Sequence, residues 1–190
     1  MTRLEALEAI VAAYPREPIV VTLGATAREL AAVARSDNHL YVLDSMGLPT
    51  AIGLGLSLGL DDSPFEKCLV IEGDGSLLMG FSTLATIGLL KPAKLLLLVL
   101  DNGIYAATGG QKTASAAIDV SAVARGCGID AADVDDAQSL ARELDRGRTA
   151  PGPILLRVRI GPENAKVPYL LEDPVILGET FRRYLAAQRR

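Results

Sequence analysis

Short apolar runs recur along the chain, separated by stretches with helical periodicity. Ile19-Val20-Val21-Thr22-Leu23, Leu40-Tyr41-Val42-Leu43, Cys68-Leu69-Val70-Ile71, Leu95-Leu96-Leu97-Leu98-Val99-Leu100 and Ile154-Leu155-Leu156-Arg157-Val158 are each too short for a helix and read as buried strands. A weaker strand candidate lies around Ala132-Asp133-Val134. Between these runs the pattern predicts helices over about 3–13, 26–34, 49–60, 77–90, 119–127 and 136–147, and a C-terminal helix at about 175–188. Thr2 caps the first, with Glu5 completing a capping box. In the helix over 49–60, Gly53, Gly55, Ser57 and Gly59 allow close packing. Pro92 stops the helix over 77–90. Residues 103–117, rich in Gly, Ala, Thr and Ser, read as a loop, and the segment at 161–174 as a polar connection. Strands that are apolar throughout, alternating with helices, call for an α/β, doubly wound, mostly parallel sheet with helices on both faces. Residues 1–190 then form one domain.

Composition narrows the function classes. At 49% hydrophobic the chain can fill a core, yet its apolar runs fall short of the roughly 18 residues that span a bilayer. Met1-Thr2-Arg3-Leu4-Glu5 does not read as a signal peptide. A net charge of −4, no extended basic block, no Trp and 4% aromatics disfavour nucleic acid as a partner. Cys68 and Cys127 lie far apart and are expected to be reduced packing residues of a cytoplasmic protein. Two separated cysteines cannot hold a four-iron cluster, which disfavours an electron-transferring oxidoreductase. His39, the only histidine, precedes a strand in a polar turn and is expected to be exposed and non-catalytic. Arg28-Glu29 reads as a solvated helix pair.

The chemistry concentrates at two strand ends. Gly73-Asp74-Gly75 follows the run at 68–71, and after twenty-six residues Asn102 follows the run at 95–100. In a right-handed parallel crossover both groups emerge at the same sheet edge. Asp74 offers an anionic oxygen, Asn102 a neutral carbonyl oxygen, and the backbone carbonyl of Ile104 is well placed to add a third. Magnesium takes six oxygens and readily keeps water or phosphate among them, so a bound diphosphate completes such a set. Gly73 and Gly75 let a diphosphate approach the backbone, and the N–H groups near Ser76 open the next helix. Each motif alone also describes an ordinary tight turn; their placement on adjacent strand ends raises the pair above that.

The spacing Gly-Asp-Gly, some two dozen residues, then Asn resembles the diphosphate-binding half of thiamine-diphosphate enzymes. The likeness continues through Gly24-Ala25-Thr26-Ala27-Arg28-Glu29-Leu30, Leu40-Tyr41-Val42-Leu43-Asp44-Ser45-Met46-Gly47, Gly73-Asp74-Gly75-Ser76-Leu77-Leu78-Met79, Thr108-Gly109-Gly110-Gln111 and Phe181-Arg182-Arg183-Tyr184-Leu185. In order and coverage these are similar to the phosphonopyruvate and sulfopyruvate decarboxylases. The resemblance implies thiamine diphosphate and Mg2+ as cofactors, with Asp74, Asn102 and the Ile104 carbonyl as metal ligands. It places Gly24, Thr26, Gly73, Gly75 and Ser76 about the phosphates, although Thr26 also fits as a helix cap. Asp44, Ser45 and Met46 would line the rest of the cofactor site. Met46 would be the apolar prop between the cofactor's rings, unless it simply packs in the core, and the Asp44 carbonyl would accept from the pyrimidine. The family usually has Gly at Asp44. Gly110, Gln111 and Lys112 lie on a loop that is either a substrate-side wall or plain surface.

In that family the cofactor sits between two domains, and this chain resembles one of them. The resemblance therefore implies a separate pyrimidine-binding α-type subunit that brings the catalytic glutamate, and a hetero-oligomer of at least two α and two β chains. The expected activity is decarboxylation of a small 2-oxo acid, phosphonopyruvate-like or sulfopyruvate-like. Carboligation and a non-catalytic diphosphate-binding module remain the alternatives.

Overall fold

A computed structural model describes residues 1–188. The first half of the chain runs α1 (Arg3–Ala13), β1 (Ile19–Val21), α2 (Ala25–Val33), β2 (His39–Tyr41), α3 (Pro49–Gly59), β3 (Cys68–Gly73), α4 (Asp74–Met79), α5 (Thr83–Leu90) and β4 (Leu95–Asp101). A two-residue hairpin follows, β5 (Ile104–Tyr105) with β6 (Gln111–Lys112). Next come α6 (Val120–Gly126), β7 (Asp130–Val134), α7 (Ala137–Thr149), β8 (Ile154–Arg159) and α8 (Pro174–Ala187).

Six strands form one sheet in the order β2-β1-β3-β4-β8-β7, with every pairing parallel. Parallel strands need crossovers, and helices supply them on both faces. Leu7 and Ile10 of α1, Leu30 of α2 and Leu140 and Leu144 of α7 pack on one face with Leu69, Ile71, Leu96 and Leu98. Leu54 of α3, Leu77 of α4, Leu84 and Ile87 of α5 and Ala124 of α6 pack on the other with Val70, Leu95, Leu97 and Val99. Residues alternate between faces along each strand, which is why β3 and β4 are apolar at nearly every position. The strand order reverses between β1 and β3: the chain leaves β1 for β2 on one face and returns to β3 on the other. Such a switch point opens a crevice at the carboxyl ends of the strands.

Several expectations change in detail. The helix expected over 77–90 is two helices, broken at Gly80. The break lets the chain pass the turn after β2, where a Cβ on Gly80 would stand 2.1 Å from the Gly47 carbonyl oxygen. In α3, Gly53 does permit close packing, since a Cβ there would lie 2.0 Å from Val70 Cγ2, whereas Gly55 and Gly59 face outward with nothing within 4 Å of such a Cβ. The segment read as a loop over 103–117 holds the β5–β6 hairpin and a 3-10 turn at Ala114–Ala116.

His39 is not exposed. It opens β2 paired with Ile19, is 4% exposed, and burial with Arg35 nearby pushes its imidazole down to about 4. Nor is Arg28-Glu29 a solvated pair. Glu29 is 1% exposed and accepts from Arg3 Nη1 at 2.8 Å, while Arg28 donates to the carbonyls of Val167 and Pro168 and lies over the Tyr169 ring. Those contacts bind the segment after β8 to α1 and α2. Arg3 Nη1 also donates to Asn164 Oδ1, the Ala165 N–H donates to Glu29, and the Gly161 N–H donates to the Met1 carbonyl. Cys68 and Cys127 are both free, Cys68 buried beside Leu60 and Phe65 and Cys127 packed against the α5–α6 core.

Candidate functional site: a cavity at the ends of β1, β3 and β4

Gly73 is paired with Leu100, so β3 and β4 end side by side and Asp74 emerges next to Asp101 and Asn102. Asp74, Asn102 and Ile104 share the wall of a single cavity. Gly73, Gly75 and Ser76 line it from the start of α4, Gly24 and Thr26 from the start of α2, and Met46 from the turn after β2. Nine of the residues singled out from sequence are thus gathered at the switch point.

The local backbone explains the gathering. Gly24 is the N-cap of α2 at φ 75°, a conformation that favours glycine, and no side chain caps that helix. Thr26 is therefore not the cap; its buried side chain belongs to the cavity wall. Asp74 opens α4 directly after Gly73, which leaves the first N–H groups of that helix without intrahelical partners. Ser76 Oγ accepts from the Gly47 N–H at 3.0 Å and from Thr22 Oγ1 at 3.2 Å, joining the ends of β1 and β3 to the turn that carries Met46. Asn102 Oδ1 accepts from the Ile104 N–H at 3.1 Å and keeps a second lone pair.

Asp44 sits at φ 57°, in the left-handed region that glycine adopts freely. The backbone at this position is thus glycine-like although the residue is not. Asp44 is exposed and lines an adjoining cleft with Arg28 and Tyr169 rather than the cavity itself. Ser45 is half-buried in the same turn and lines neither. Gly110, Gln111 and Lys112 are exposed on the β5–β6 hairpin, outside the cavity wall. From that hairpin it is the stretch from Ile104 to Thr108 that lines the cavity, with Thr108 held to Gln111 by two hydrogen bonds.

Four features escaped the sequence reading. The Tyr105 ring lies over Gly75, where a Cβ would come within 2.4 Å of Tyr105 Cε1, so Gly75 also makes room for this ring. Thr113 Oγ1 donates to Asp74 Oδ2 and accepts from the Ser115 N–H at 3.3 Å; Ser115 Oγ donates to Asp101 Oδ1 at 3.0 Å, and Arg157 Nε donates to Asp101 Oδ2 at 2.7 Å. This chain of bonds holds Asp74 in one orientation, while burial pushes its carboxyl above the usual range. Behind it Glu72 is fully buried, accepts from Thr50 Oγ1 at 3.4 Å, and is pushed up to about 7 by burial; among the described residues no bond reaches its Oε2. Arg3, from the start of α1, contributes to the cavity wall. None of these four has a spacing signal, because each partner lies on a different element.

Among the described residues no group of three or more His, Cys, Asp or Glu is placed to hold a metal. The donor set fits a divalent ion whose remaining oxygens come from backbone, water and a diphosphate, and does not fit a self-sufficient metal cage. The glycine-lined start of α4, the Asp74 carboxylate beside the Asn102 carboxamide and the half-buried Met46 share one cavity wall.

Comparison with known proteins agrees. Residues 23–158 match the family described as "Thiamine pyrophosphate enzyme, C-terminal TPP binding domain", and the chain belongs to it. It is 40% identical to a phosphonopyruvate decarboxylase of Streptomyces viridochromogenes, with 97% of this chain aligned to 46% of that one. It is 36% identical to a sulfopyruvate decarboxylase subunit beta of Methanothermobacter thermautotrophicus, covering 95% of this chain and 94% of the subunit. The chain therefore spans about half of the first relative and nearly all of the second. In fold it is similar to the crystal structure of benzoylformate decarboxylase from Polynucleobacter necessarius, with a TM-score of 0.72 at 18% identity over 84% of this chain and 33% of that one.

Proposed function

We propose that this chain is the β-type subunit of a split thiamine-diphosphate-dependent 2-oxo acid decarboxylase. The observation that carries the reading is the meeting of Asp74, Asn102, Thr26 and Met46 around one cavity at the switch point. Asp74, Asn102 and the Ile104 carbonyl would hold Mg2+, and the backbone of Gly24, Gly75 and Ser76 would receive the diphosphate. Thiamine diphosphate, when bound, supplies the electron sink that lets a 2-oxo acid lose carbon dioxide. The chain's own residues bind and orient. Thr113 fixes the Asp74 carboxylate, Ser76 fixes the Met46 turn, and Tyr105 closes the wall over Gly75.

The partner would be an α-type chain that covers the pyrimidine end and brings the catalytic glutamate. The β-subunit relatives of matching span support this. So do exposed apolar side chains on or next to α3, α4 and α5, namely Leu48, Ile52, Met79, Leu89 and Leu90, with Met79 61% and Leu89 79% exposed. Two α and two β chains make the smallest assembly with paired sites. The substrate class is a 2-oxo acid with a phosphonate or sulfonate tail, after the relatives' names. No described helix is long and apolar enough to cross a membrane, and two free thiols suit the cytoplasm.

The test is turnover of phosphonopyruvate, sulfopyruvate and pyruvate with thiamine diphosphate and Mg2+, for the chain alone and for the chain with an α-type partner. Turnover is expected only from the pair. Robust decarboxylation by the lone chain refutes the split site, and a pair that takes up no cofactor refutes the whole reading.

A further inference from the structure

Arg3 is the one charged side chain in the cavity wall that the proposed function leaves without a task. The residue as a whole is 4% exposed. Nη1 donates to Glu29 Oε1 at 2.8 Å and to Asn164 Oδ1 at 3.0 Å. Among the described residues no acceptor is bonded to Nε or Nη2. A guanidinium has five N–H donors, and the unbonded ones on Arg3 stay accessible to solvent rather than sealed in the core. Arg3 shares its cavity with Gly24, Ala25 and Thr26 at the start of α2 and with Asp74 at the start of α4. Glu29 is held as much by the Ala165 N–H, at 3.0 Å, as by Arg3. It fixes one edge of the guanidinium and leaves the other unbonded.

The charge balance points the same way. A diphosphate carries more negative charge than one magnesium ion neutralises, and Asp74 adds another negative group. Asp101 is already paired with Arg157, and Lys112 is exposed on the hairpin. Arg3 is the remaining cation at the wall.

We propose that Arg3, clamped by Glu29 and Asn164, offers its unbonded edge to an oxyanion in this cavity, and that the oxyanion is the diphosphate of the bound cofactor. The assignment rests on the cofactor reading above. Arg3 then has two tasks, closing the N-terminal and C-terminal segments over α2 and neutralising the ligand. Fork-shaped donors suit a tetrahedral oxyanion better than a point charge does.

The experiment measures binding rather than turnover. The full chain is titrated with inorganic diphosphate and then thiamine diphosphate, both with Mg2+, by calorimetry at two ionic strengths. Arg3→Gln is expected to weaken both by about tenfold or more, as the loss of a charge-assisted contact implies. Arg3→Lys should fall between, and Glu29→Gln should tighten binding by leaving the guanidinium uncompensated. Were Arg3→Gln too unstable to titrate, the Arg3→Lys and Glu29→Gln pair still decides. Unchanged affinities in the variants, with only a lower melting temperature, would overturn the proposal and leave a structural ion pair. Unchanged diphosphate affinity, with a raised KM for phosphonopyruvate in the assembled enzyme, would also overturn it, reassigning Arg3 to the substrate's tail. Asp74→Asn separates the two claims: if the wild-type chain binds neither ligand even with its α-type partner present, or Asp74→Asn binds both as well as the parent, the cofactor reading itself falls, and Arg3 with it.

Discussion

Gly80→Ala tests whether the break between α4 and α5 positions the Met46 turn. A Cβ at Gly80 would lie 2.1 Å from the Gly47 oxygen, 3.0 Å from its carbonyl carbon and 3.2 Å from its Cα. An ordinary carbon contact needs about 3.5 Å, so backbone must move by roughly 1 Å. The obstacle is main chain on both sides, and no side chain can swing away. Overpacking of this kind costs about 1–3 kcal/mol, which for a chain of this size lowers the melting temperature by roughly 3–10 °C. Gly47 carries the motion to Met46 on one side and, through its N–H, to Ser76 on the other. Gly55→Ala is the matched control: it sits inside α3 with nothing within 4 Å of a new Cβ, and should stabilise the chain by about 0.5–1 kcal/mol through helix propensity alone. Thermal unfolding of both variants, with and without thiamine diphosphate and Mg2+, measures the difference. The reasoning fails if Gly80→Ala melts with the parent, or if it is destabilised yet takes up cofactor with parental affinity.

Two more outcomes follow from the site and the sheet edge. Thr113→Val keeps the shape of the side chain but removes the donor to Asp74; the Mg2+ concentration needed for half-maximal cofactor uptake should rise about tenfold, and an unchanged magnesium titration would dismiss the orienting role of Thr113. His39 is held down to about 4 by burial, against about 6.5 when unfolded. Between those values the unfolded chain binds a proton that the folded chain refuses, so stability falls as pH drops from about 6.5 through 4. At about 1.4 kcal/mol per pH unit the loss approaches 3 kcal/mol. In urea denaturation His39→Gln should therefore lose less stability than the parent over that range; parallel curves would show that His39 is solvated.

The sheet was legible because parallel strands buried on both faces leave unbroken apolar runs, and β3 and β4 are such runs. Asp74 and Asn102 were legible because each immediately follows one of them, and strand adjacency then does the rest. What escaped depends on pairing between distant elements. The hairpin of β5 and β6 is too short and polar to show a period. The helix break at Gly80 is set by Gly47, thirty-three positions earlier, so nothing in the local pattern announces it. His39 looked like a turn residue because polar neighbours precede it, yet β2 pairs from that residue onward. Glu29 read as half of a solvated helix pair with Arg28, and no motif singled out Arg3; only the packing of α1 beside α2 makes Arg3 and Glu29 partners. Thr113, Ser115 and Arg157 come from a 3-10 turn, its flank and β8, and they converge on Asp101 and Asp74 without any shared motif.

The bond from Arg3 to Asn164 spans 161 positions, and the Gly161 N–H reaches back to Met1. During synthesis the ribosome releases the ends of β3 and β4 long before the stretch that ties the first helix in place. A nascent chain carrying β1 to β4 already holds both oxygen donors, but the start of its first helix still lacks the partner that arrives with Asn164.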